Sequence, residues 1–62
     1  MLGKEMTIDI NNKEDYPKII DKEGEGMYLV LHLEFKDGTA YKANVESISS
    51  KGYYKVILFE KL

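Results

Sequence analysis

The sequence has no cysteine, no tryptophan and no arginine, and only one proline and one histidine among its 62 residues. Without cysteine there are no disulfides and no thiolate zinc sites, the devices that most often hold small domains together. A chain this short buries only about 60% of the surface its unfolded form exposes. Close packing, or a second chain, must therefore supply its stability. The lack of arginine excludes something else. All nine basic residues are lysines, set against eleven acids for a net charge of -2. Lysine is a mobile point charge without the bidentate fork that reads guanine edges, so sequence-specific DNA binding is not expected.

Long apolar runs are missing too. The longest, Met27–Leu31 and Val56–Phe59, cannot span a bilayer, and Met1–Met6 lacks the apolar stretch of a secretory signal. The expectation is a cytoplasmic protein without a membrane partner.

What is present is a normal folded composition, 44% hydrophobic and 32% charged. Residues 1–62 read as a single domain with a flexible start at 1–5. Acids concentrate early: residues 1–26 hold seven against four lysines, while residues 27–62 hold four against five. The second part carries most of the aliphatic mass.

Met6, Ile8 and Ile10 alternate with Thr7 and Asp9, which predicts a short first strand. Tyr16, Ile19 and Ile20 stand at helical spacing behind Asn11-Asn12, and Pro17 suits a first helical turn. One or two helical turns over 17–22, ended by Gly24, are expected. From Met27 to Phe35 strict alternation predicts an antiparallel strand, followed by strands over 39–48 and 53–60. The fold class expected is α+β in the order β-α-β-β-β: a three-stranded antiparallel meander with one short helix on its Met27, Leu29, Leu31, Leu33 and Phe35 face. The alternative is an SH3-like β-barrel.

Two details follow from face matching. A three-residue Lys36-Asp37-Gly38 loop sets Phe35 opposite Thr39, Leu33 opposite Tyr41, Leu31 opposite Ala43 and Leu29 opposite Val45. Opposed residues share a face, so this register keeps the apolar face intact; a two-residue loop would not. The last strand is apolar on both faces, with Val56 and Leu58 on one and Tyr53, Ile57 and Phe59 on the other. At the end of a meander it would be an open edge. Pairing of the Met6–Ile10 strand beside it and burial of its second face against another subunit are the two remedies expected, and they are not exclusive.

No residue pattern points to catalysis. His32 has no cysteine, serine or aspartate at a catalytic spacing and reads as a solvated strand residue. The carboxylates of Asp21, Glu23 and Glu25 fall short of the fixed ligand positions of a calcium loop, and Gly24-Glu25-Gly26 is no phosphate cradle. Neither a metal nor a cofactor is expected. The tyrosines are more informative, because tyrosine gives binding area at small entropic cost. Tyr28, Val30, Ile48, Tyr53, Ile57 and Phe59 are placed on one face as the candidate partner or dimer interface.

Asp37-Gly38-x-x-Tyr41-x-Ala43-x-Val45-x-x-Ile48, with Val56 and Phe59 after a turn, resembles the strand meander of Tudor and Sm-type domains. The resemblance covers residues 37–59 and implies an SH3-like domain that binds methylated peptides or RNA. Ala43 stands where an Sm domain usually has glycine, so RNA-contacting residues are not carried over. From the residues themselves the expected function is a small non-enzymatic protein-interaction module with a protein partner. A homodimer is expected as well, of the kind that phages or mobile elements encode to bind or inhibit a host protein. The alternative is a nucleic-acid or peptide-binding domain, which would show a lysine stripe from Lys42, Lys51, Lys55 and Lys61 beside exposed tyrosines.

Overall fold

The structure, a computed structural model, describes the backbone of residues 1–62 and every side chain except that of Met27. Five strands form one antiparallel sheet: β1 (Glu5–Asp9), β2 (Lys18–Glu23), β3 (Val30–Glu34), β4 (Ala40–Ile48) and β5 (Tyr53–Lys61). Their spatial order is β1-β5-β4-β3-β2. The β3–β4–β5 meander is therefore present, and each of its outer sides gains one more strand.

The helix expected over 17–22 is not formed, and the α+β assignment is corrected to a nearly all-β fold. Lys18–Glu23 is a strand paired with β3, and a single 3₁₀ turn at Gly26–Tyr28 is the one helical element among the described residues. Six residues make fewer than two helical turns, well below the length at which a helix holds itself together. As a strand, the same residues satisfy the outer edge of β3, and adjacent β-branched Ile19 and Ile20 suit a pleated surface. The apparent helical spacing has a local cause. The register shifts between Ile19 and Asp21, so Ile20 sits in a bulge that breaks strict alternation.

The β3–β4 hairpin has the register that face matching predicts. Leu33 pairs with Tyr41 and Leu31 with Ala43, Phe35 N–H donates to the Thr39 carbonyl at 2.8 Å, and Val45 N–H donates to the Leu29 carbonyl at 3.1 Å. Gly38 turns the chain at φ +90°. Asp37 Oδ1 accepts from the Thr39 N–H at 3.0 Å and its hydroxyl at 2.7 Å, and this hydroxyl bond, with the N–H behind it, holds the Asp37 carboxyl below its usual range. Phe35 and Tyr41 meet edge to face, their centroids 5.6 Å apart.

β5 is not an edge. β1 pairs along it from Glu5 opposite Ile57 to Asp9 opposite Tyr53, and Lys4 and Gly3 extend the contact to Leu58. The curled sheet covers its own inner face, where Ile8, Leu31, Leu33, Ala43, Val56 and Leu58 are buried. These six come from β1, β3, β4 and β5, so residues far apart in sequence share one core.

Candidate functional site

The outer face carries alternating charge. Asp21, His32, Lys42 and Glu60 form one cross-strand row. Glu23 Oε2 accepts from His32 Nε2 at 3.1 Å and lies 3.4 Å from Lys42 Nζ. The hydrogen bond from His32 and the lysine beside it keep the Glu23 carboxyl below its ordinary range. His32 is thus not simply solvated: its imidazole is largely covered and bonded to a neighbouring strand. Across β1 and β5, Lys55 Nζ lies 3.3 Å from Glu5 Oε1. Lys42 and Lys55 are each held by an acid, so the two do not join Lys51 and Lys61 in an uninterrupted basic stripe.

The six residues of the expected interface are divided by the structure. Val30 and Ile57 lie in one row on either side of Asn44, both partly covered. Tyr28 is 79% exposed in the 3₁₀ turn before β3, and Tyr53 is exposed opposite Asp9. Two bulges separate the others. The register of β4 and β5 shifts between Val45 and Ser47, which brings Ile48 opposite Tyr54 on the core side. A second shift leaves Phe59 without an opposite residue, between Leu58 and Glu60. Val30, Ile57, Tyr28 and Tyr53 therefore sit within a charged face and do not make one apolar patch.

A different place stands out. β1 and β2 are the two ends of the sheet, and they flank an open groove of about 580 Å³ lined by Ile8, Ile10, Ile19, Ile20, Leu31 and Tyr54 among others. Among the described residues, no Cα of β1 lies within 8 Å of a Cα of β2, so the sheet does not close into a barrel. The link of residues 10–17 crosses between them. Lys13 and Pro17 line the large groove, while Asp15 and Tyr16 line a smaller recess of about 190 Å³ against Thr7. No backbone hydrogen bond ties residues 13–17 to β1 or β2 among the described residues.

The direction of the free main-chain groups follows from the ladder. Lys4 and Ile10 bond to Leu58 and Gly52 on the β5 side. Antiparallel bonding alternates, so Glu5 and Thr7 aim their N–H and C=O groups into the seam. On the other side, Leu29 and Phe35 bond to β4, so Val30, His32 and Glu34 bond to β2, through Glu23, Asp21 and Lys18. Ile19 and Lys22 are left facing the seam. The Lys22 N–H meets the Asp21 carboxylate at 2.8 Å, a side chain standing where a strand carbonyl would be.

Sequence reasoning missed this seam because it assigned residues 17–22 to a helix, which hides an edge. Comparison with protein families, with characterised proteins and with solved structures gives no match. The site is therefore read from its own geometry. Among the described residues no group of three or more potential metal-ligating side chains comes together, and no helix is long and apolar enough to cross a membrane.

Proposed function

We propose that this chain is a small protein-interaction module that acts by holding another polypeptide rather than by catalysis. One observation carries the reading: two strand edges with free main-chain groups border a groove whose floor is apolar and open. Unpaired edges are templates for another chain, and folded proteins ordinarily cover or shorten them. Here Ile19 and Ile20 are 38% and 52% exposed on such an edge. The nucleic-acid alternative draws less support, because Lys42 and Lys55 are paired with Glu23 and Glu5. Pairing of β1 along β5 removes the open edge as a motive for a second copy there, while Tyr53 and Phe59 on that strand stay exposed.

The test is site-specific photo-crosslinking in the source cells, with the reactive residue placed at Ile20 in one variant and at Tyr53 in another. One discrete protein adduct, identified by mass spectrometry and reproduced with the purified partner, is expected. If neither position gives a protein adduct, the interaction reading is refuted.

A further inference from the structure

We propose that the seam between β1 and β2 receives one extended segment of a partner polypeptide, running antiparallel to both strands, with alternate apolar side chains and acidic side chains toward Lys13 and Lys22. This rests on the interaction reading and names the chemistry of the partner.

Width is the first argument. Neighbouring strands lie about 4.8 Å apart, so one inserted strand needs a gap of roughly 9.6 Å. The β1–β2 separation exceeds 8 Å throughout, which is too wide for direct pairing, and the space between the two strands is the open groove of about 580 Å³. Direction is the second. β1 is antiparallel to β5, β5 to β4, β4 to β3 and β3 to β2, so β1 and β2 run the same way. Their link, residues 10–17, is shorter than the dozen or so residues that usually join neighbouring parallel strands. A single segment running the opposite way is antiparallel to both and extends the existing pattern.

The main chain and the floor agree. Glu5 and Thr7 on one side, and Ile19 and the carbonyl of Lys22 on the other, offer their backbone groups to such a segment; the Lys22 N–H is taken by Asp21. Ile8, Leu31 and Tyr54 form a floor for every second side chain, because a strand presents alternate residues to one face. Charge then selects the partner. Asp9 and Asp21 line the groove, but each carboxylate already accepts a backbone N–H, from Asn11 at 2.9 Å and Lys22 at 2.8 Å. Lys18 is held over the Tyr16 ring at 4.8 Å. Lys13 and Lys22 also line the groove, and neither forms an ion pair among the described residues. The lining holds three lysines against two carboxylates, one positive charge in excess, which favours an acidic occupant.

The experiment is a titration of the isotope-labelled chain, followed by amide NMR, with three capped octapeptides. One alternates valine with glutamate, one alternates valine with lysine, and one is the glutamate peptide N-methylated at every second residue. The glutamate peptide is expected to shift the amides of Thr7, Ile19 and Lys22 saturably and to slow exchange at Thr7 and Ile19. N-methylation, which removes main-chain donors at unchanged charge, should weaken binding by at least about tenfold, as should Lys13→Glu with Lys22→Glu in the chain. Equal binding of the lysine peptide overturns the acidic assignment. Equal binding of the N-methylated peptide, or no shift at β1 and β2 with any peptide, overturns strand addition. A protein adduct from Tyr53 with none from Ile20 would leave the chain an interaction module and remove the seam as its site.

Discussion

Gly24 and Gly26 provide a controlled test of how firmly the β2–β3 turn is built. Both have positive φ, +73° and +62°. A Cβ on Gly26 would meet nothing within 4 Å, whereas one on Gly24 would lie 2.5 Å from the Tyr28 carbonyl oxygen. That oxygen is backbone and cannot swing aside. Alanine at either position incurs the left-handed penalty of about 1–2 kcal/mol, and any loss of unfolded-state freedom is common to both. Only Gly24→Ala must also move the main chain, at about 1–3 kcal/mol for forced overpacking. For a chain of this length total stability is about 3–9 kcal/mol, so the combined cost of about 2–5 kcal/mol in Gly24→Ala removes a large part of it. Urea and thermal unfolding of Gly24→Ala and Gly26→Ala should differ by at least about 1 kcal/mol, or roughly 4 °C or more in Tm. If the two melt together, the close approach of Gly24 to Tyr28 does not constrain the turn, and β2 is not held in the manner described.

Leu33→Ala removes a fully buried side chain facing Tyr41 and should cost about 2–5 kcal/mol by urea unfolding; an effect below 1 kcal/mol would mean the core lies elsewhere. Lys55→Ala breaks a half-exposed pair with Glu5 and should change stability by less than about 1 kcal/mol in the same assay. Glu23 and Asp37 both have lowered carboxyl pKa values, so their contributions are present above the ordinary 4.5 and 3.8 and are lost as pH falls below them. The urea midpoint should drop between about pH 5 and pH 3, and Glu23→Gln with Asp37→Asn should flatten that drop; an unchanged slope would show that neither pairing matters.

The parts of the fold legible in the sequence are those where one physical rule decides alone. The β3–β4 register follows from Leu29, Leu31 and Leu33 needing apolar partners, and only a three-residue turn provides them, as Val45, Ala43 and Tyr41. The doubly apolar β5 announced that something must lie beside it, and β1 does. Three features escaped because two rules competed. Tyr16, Ile19 and Ile20 satisfy helical spacing, but the open edge of β3 outweighs the weak propensity of six residues. Strict alternation carried Ile48 and Phe59 to the wrong neighbours, since bulges leave no mark in the hydrophobic pattern. The candidate seam depends on both edges and on their shared direction, so it became visible only once β2 was a strand.

The central place of β5 also sets the order in which this sheet can be assembled. β3 and β4 pair through a three-residue turn and can do so as soon as both have left the ribosome. β1 is synthesised before every other strand, yet its pairing partner is the one made after all of them. Contacts of such long sequence separation form late, because the loop must close before they reward it. Met6 and Ile8 therefore have no strand to join until β5 is complete, so within this sheet the earliest strand waits for the latest.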